Sequence, residues 1–174
     1  MYIAFIFRVS KFINGDWTQI GSDIVGEPKS EFGFAVSLSS NGDIVAIGAP
    51  YWISGGRKGR VYVYENVSGN WVQVGSSVDV IFRGSPKRSV AISSDGNLMA
   101  VGGPGAPNPG SGLGYVKVYS HINGALVQIG SDIIGPSPGR YFGFELSFSD
   151  DGKTLLVSEA NSCKSIYIFK WGLG

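Results

Sequence analysis

Histidine and cysteine are almost absent from this chain, with one of each, His121 and Cys163, in 174 residues. A single cysteine excludes an intrachain disulfide framework and a cysteine-based zinc site, so cysteine usage does not report a redox compartment. A single histidine leaves little material for a nucleophile–base pair. Charge of one sign is lacking as well. Fourteen Lys and Arg against thirteen Asp and Glu leave +1, which excludes a global field that would draw in nucleic acid or an anionic membrane. Long hydrophobic runs are missing, and the apolar stretch at residues 1–7 is too short to span a bilayer. That stretch also lacks the basic region and cleavage site of a signal peptide, and is expected to be a strand. Nothing here assigns a compartment. Helix formers are scarce too: 9 Ala, 8 Leu and 5 Glu are together outnumbered by 27 Gly, which excludes a mainly helical fold.

What the chain does have is 43% hydrophobic and 13% aromatic residues, enough for a core, and an abundance of turn formers. It also repeats. Trp17-Thr-Gln-Ile-Gly21-Ser-Asp23 recurs as Trp71-Val-Gln-Val-Gly75-Ser-Ser77 and as Leu126-Val-Gln-Ile-Gly130-Ser-Asp132, with glycine spacings of 54 and 55. Val36-Ser-Leu-Ser-Ser-Asn-Gly42 returns as Val90-Ala-Ile-Ser-Ser-Asp-Gly96 and Leu146-Ser-Phe-Ser-Asp-Asp-Gly152. Val61-Tyr-Val-Tyr64 returns as Val116-Lys-Val-Tyr119 and Ile166-Tyr-Ile-Phe169. Three signatures in one order and phase define a repeat protein.

Each unit divides into four short runs rich in Val, Ile, Tyr and Phe, at residues 34–38, 44–47, 60–64 and 71–74 in the first full copy. Asn41-Gly42, Asp95-Gly96 and Asp151-Gly152 supply hairpin turns between the first and second runs. Ser68-Gly69-Asn70 and Ile122-Asn123-Gly124 do so between the third and fourth. The expected element is an antiparallel four-stranded meander. One such meander cannot bury both its faces, so its repetition predicts an all-β fold of β-propeller blades. A solenoid would have shorter coils, and a sandwich does not demand strict repetition. Residues 1–174 are expected to form a single propeller repeat domain of three units, approximately 6–59, 60–114 and 115–169. The count is a third and fourth strand, two full sets, then three strands: thirteen, or three blades with one third strand to spare. Three blades are too few to close a ring. The expectation is therefore a partial propeller, as an arc that stays open or a part of a longer protein, or a ring completed by another chain. A homodimer making six blades is one such ring, against which the spare third strand counts.

Phe32-Gly33 followed by Gly48-Ala49-Pro50 and Gly59-Arg-Val-Tyr-Val-Tyr64 resembles the FG-GAP repeats of integrin α-subunit propellers. The second unit has Pro86-Lys87 at the Phe-Gly place but keeps Gly102-Gly103-Pro104. The third keeps Phe142-Gly143 and replaces Gly-Ala-Pro with Ser158-Glu159-Ala160. The Ser-x-Asp-Gly hairpins are similar to those of WD40 blades. The FG-GAP resemblance implies a propeller that binds partners and, in many members, calcium in an Asp-rich loop. Here the equivalent loops, such as Ser39-Ser-Asn-Gly-Asp43, lack the alternating carboxylates that the cation needs. No metal or other cofactor is expected.

No catalytic constellation stands out. His121 is expected in an exposed turn, Cys163 has no neighbouring base, and the glycine-rich stretch 102–114 lacks the Lys-Ser/Thr of a phosphate loop. The repeated Trp17, Trp71 and Leu126 are expected to pack unit on unit, with Gln19, Gln73 and Gln128 making one recurring polar contact. The loops joining second to third strands and fourth to first share one face. They carry Tyr51, Trp52, Arg57, Lys58, Arg83, Lys87, Arg88, Arg140 and Tyr141, of the types enriched at interface hot spots. The same loops hold Asp23, Glu27, Glu31, Asp79, Asp132 and Glu159. The expected function is a non-enzymatic binding or scaffolding module presenting this face to a protein or glycan. The alternatives are a structural component whose blades are completed by neighbouring chains, and a central-channel enzyme, for which only Glu145 interrupts the inner strands.

Overall fold

The computed structural model describes residues 5–50, 58–81, 90–105, 112–160 and 165–171. Every regular element among them is a β-strand, and every strand pairing is antiparallel. At the N-terminal end lie β1 (Ile6–Phe7), β2 (Ser10–Ile13), β3 (Asp16–Gln19) and β4 (Ile24–Val25), a hairpin in two pieces with β1 on β4 and β2 on β3. The first full sheet runs β5 (Ala35–Leu38), β6 (Ile44–Ala49), β7 (Lys58–Val67), β8 (Asn70–Gln73), and β9 (Val78–Ile81) also pairs with β7. The second runs β10 (Val90–Ile92), β11 (Leu98–Gly103), β12 (Tyr115–Ile122), β13 (Ala125–Ile134). The third holds three strands, β14 (Leu146–Phe148), β15 (Thr154–Ser158) and β16 (Ile166–Lys170).

Two kinds of hairpin make these meanders. The turns Asn14-Gly15, Ser68-Gly69 and Asn123-Gly124 have positive φ at both residues, from 50° to 95°. That is the two-residue turn whose twist matches the strands it joins. The turns between first and second strands differ from the tight form expected. In them only Gly42, Gly96 and Gly152 have positive φ, and the loop closes between Ser39 N–H and the Ile44 carbonyl at 2.9 Å, with the same bond at Ser93–Leu98 and Ser149–Thr154.

Fourth strands also run further than the sequence suggested. Gly75 and Gly130 have left-handed φ of 57° and 66°, yet β-pairing resumes beyond them as β9 and as the second half of β13. The Gly-Ser pair that reads as a strand end is a bulge that bends a longer strand. Asp79 and Asp132, expected in loops, therefore sit on strands. His121 is likewise not in a turn; it is the half-buried partner of Leu126 in β12.

The sheets stack face to face through apolar layers. Ala46, Val61 and Val63 of the first sheet pack on Val90, Ile92, Met99 and Val101 of the second. Ala100, Val116 and Val118 of the second pack on Phe142, Leu155 and Val157 at the third. Phe7 and Ile24 of the N-terminal hairpin cover Val45 and Ile47. Full burial of each such aliphatic side chain contributes about 1.5–3 kcal/mol. Polar bonds register the stack: Ile92 N–H donates to Ser37 Oγ at 2.9 Å, and Ser40 N–H to the Ser94 carbonyl at 2.9 Å. At the far end of the strands Trp71 donates its indole N–H to the Ile20 carbonyl at 2.9 Å.

Candidate functional site

Of the nine loop-face residues expected to bind, Tyr51, Trp52, Arg57, Arg83, Lys87 and Arg88 lie outside the described residues. Lys58 opens β7. Arg140 and Tyr141 are described, and the structure sets Arg140 over a group that the sequence placed among solvated loop acids. Glu159 is only 2% exposed, the sole charged residue among the described ones in the buried class. Its Oε1 accepts a hydrogen bond from the Tyr167 hydroxyl at 3.1 Å, and Arg140 Nη1 stands 3.7 Å from Oε2. Oε2 has no hydrogen-bond partner. Taking a carboxylate out of water costs several kcal/mol, and here a half-exposed guanidinium offsets part of it.

The local fold explains the placement. Phe142-Gly143 forms a turn in which Phe142 is buried, its ring edge-on to Tyr167 at 5.3 Å and to Phe169 at 6.3 Å. Gly143 N–H donates to the Ser158 carbonyl at 3.1 Å, just as Gly33 N–H donates to the Gly48 carbonyl at 3.1 Å in the first sheet. The Phe-Gly turn is thus bonded to the end of the second strand in both sheets. The residue before each Phe takes a left-handed backbone: Glu31 at φ 53° and Tyr141 at φ 55°. The backbone is common to the two turns, and the side chains displayed are not. Where the first unit has Ser30, Glu31 and Ala49, the third has Arg140, Tyr141 and Glu159. Ala160 N–H donates to the Arg140 carbonyl at 3.0 Å, tying the turn to the end of β15. The signal available in sequence was the replacement of Ala49 and Gly103 by Glu159 at one repeat position.

The remaining polar motifs bond to groups close by in the chain. Ser93 Oγ donates to Asp95 at 2.6 Å and accepts from Leu98 N–H at 2.9 Å, and Ser149 does the same with Asp151 and Thr154. The Ser93 hydroxyl holds the Asp95 carboxyl below the usual carboxylate range, and Ser149 does so for Asp151. The glutamines make the recurring contact expected of them: Gln19, Gln73 and Gln128 each donate to the carbonyl of the glycine two residues on, at 3.0 to 3.3 Å. Trp71 packs against Gly21 of the unit before it, whereas Trp17 is 74% exposed. Among the described residues no three His, Cys, Asp or Glu side chains gather as a metal site.

On the inner side of the stack a cleft of about 560 Å³ opens between β5 and β14, with Val90 between them. Phe34, Val36, Leu156 and Ile166 form its walls, and Glu145 lies at its rim, exposed.

No family model matches the chain, and no curated protein matches it. Solved structures do. TolB from Acinetobacter baumannii aligns over 97% of this chain and 38% of its own, at 15% identity and a TM-score of 0.51. A putative 6-phosphogluconolactonase from Bacteroides uniformis aligns over 96% of this chain and 48% of its own, at 14% identity and a TM-score of 0.52. The fold is all-β and propeller-like. This chain spans less than half the length of either of these structures.

Proposed function

We propose that the chain is a non-enzymatic binding module, an arc of propeller blades built on a repeat of about 54 residues, and that the loop end of its third unit holds a protein partner. The observation that carries this is Glu159, a buried carboxylate retained beneath Arg140 where equivalent positions hold Ala49 and Gly103. Such a group costs stability and adds nothing to the packing, so its use is to fix the guanidinium beside Tyr141. Arg and Tyr are the side chains that concentrate binding energy at interfaces. Between the two expected partner classes, a positioned guanidinium favours a protein segment bearing a carboxylate, which it can grip with paired hydrogen bonds. The bond between Phe-Gly and Gly-Ala-Pro supports an FG-GAP-type reading of the blade.

The test is to select ligands from a displayed random-peptide library and compare their affinity for wild type, Tyr141→Ala and the double variant Arg140→Gln, Glu159→Gln. The double variant removes both charges, so neither is left buried alone. Peptides carrying Asp or Glu are expected to bind each variant about tenfold or more weakly, the loss typical of a hot-spot truncation. Equal affinity for all three proteins overturns the reading.

A further inference from the structure

The third-sheet wall of the cleft departs from the repeat at the positions where the other sheets pack most closely. In the first and second sheets the face covered by the sheet that follows carries small residues. Ala46 and Ala100 are wholly buried there, and Ala35 packs into the same layer as Ala46. The third unit comes so near to Gly102 that a Cβ on Gly143 would stand 3.3 Å from its Cα. In the third sheet Leu156 replaces Ala46 and Ala100, Ser158 replaces Gly48 and Gly102, and Glu145 replaces Ala35. All three line the cleft, and Leu156 and Glu145 are exposed. A neighbour seated as closely as the other sheets seat theirs would meet a larger side chain at two points. At the third it would bury a carboxylate, at a cost of several kcal/mol. This face is built differently from those that receive a blade.

We propose that the cleft binds a small organic cation, a primary or secondary amine carried on an apolar frame. Its volume of about 560 Å³ falls within the range of roughly 300–1,000 Å³ of sites that take small molecules. Three sheets of one chain enclose it, with Phe34 and Val36 on one side, Leu156 and Ile166 on the other and Val90 between. The frame displaces water from these apolar walls. Glu145 is the one charged side chain among the described residues that line the cleft, and it selects the sign of the ligand. Ser37, Ser147 and Ser158 add hydroxyl oxygens. Ser37 Oγ is fixed by the Ile92 N–H at 2.9 Å and Ser158 Oγ by the Glu145 N–H at 3.1 Å, and a hydroxyl that accepts one bond keeps a second lone pair for a donor. An ammonium group donates to the carboxylate and to these oxygens, while an anion of the same shape is repelled. The apolar walls lower the local dielectric and strengthen both effects. None of these residues belongs to the site around Arg140 and Tyr141, so the two readings stand or fall separately.

Calorimetric titration with three compounds of one shape tests this: diphenylpropylamine, diphenylpropanol and diphenylpropanoate at neutral pH. Each is titrated into wild type and two variants at exposed positions, Glu145→Gln and Val36→Trp. Wild type is expected to bind the amine about tenfold or more tightly than the alcohol, the gain typical of a hydrogen bond to a charged group, and the acid most weakly. Glu145→Gln should bring the amine down to the affinity of the alcohol and leave the alcohol unchanged. Val36→Trp fills the cleft and should weaken amine and alcohol alike. Wild type that binds none of the three compounds, or binds the acid as tightly as the amine, overturns the proposal. So does an affinity for the amine that survives either substitution.

Discussion

The second and third sheets are built from the same repeat and meet opposite fates. Val116 and Val118 in the second are buried between neighbours, while Ile166 and Ile168, at the same repeat positions in the third, face outward. The strand sequences are equally apolar, so the hydrophobic pattern alone does not decide exposure. What decides it is the presence of a following sheet. In a stacked array burial belongs to the position of a unit as much as to its residues.

Substitutions at paired positions can break or sharpen that comparison. The largest effect is expected at Val116, where Val116→Asp would strand a carboxylate between two sheets and cost about 5 kcal/mol, enough to unfold a domain of ordinary stability. Ile166→Asp, on the outward face, should change the stability of the isolated chain by no more than about 0.5 kcal/mol. Chemical denaturation of the two variants measures the contrast, and equal losses would mean that the third sheet is covered. Phe142→Ala removes the ring that Tyr167 and Phe169 pack against and should cost about 3–5 kcal/mol, read as a lower denaturation midpoint. A smaller contrast separates the inner hairpins. Ser93 is fully buried and Ser149 is not. Ser93→Ala should cost about 1–3 kcal/mol, and Ser149→Ala less.

The smallest effect is a pH dependence. The carboxyls of Asp95 and Asp151 are held low by serine hydroxyls and backbone N–H groups. Their contribution is therefore complete above the unfolded carboxylate value of about 3.9 and is lost as pH falls through the lower folded value. Melting temperature should drop below about pH 4, and Asp95→Asn should flatten that drop.

Much of the stack was legible in the sequence, because hairpin turns and apolar alternation are local signals. The meander and the glutamine contact follow from residues seen three times in one phase, whereas the packing expected of the repeated Trp17 and Trp71 is met by Trp71 and not by the exposed Trp17. The continuation of the fourth strands was not legible. Gly75-Ser76 and Gly130-Ser131 carry turn chemistry, and only the partner strand shows that pairing resumes past the bulge. Glu159 was harder still, since a glutamate beside a loop reads as solvated. Its surroundings are set by Tyr167 and Arg140, which lie 8 and 19 residues away in sequence.

Two of the bonds that cross between units sit at opposite extremities of the strands, Ser40 to Ser94 at the inner turns and Trp71 to Ile20 at the outer ones. Such placement stiffens the stack against shear and against splaying, because neither rim of a sheet can swing without breaking a bond to its neighbour. The N-terminal hairpin and first sheet carry the outer clasp, and the first and second sheets the inner one. A thermal transition should accordingly run through these units together, with a cooperativity longer than one repeat.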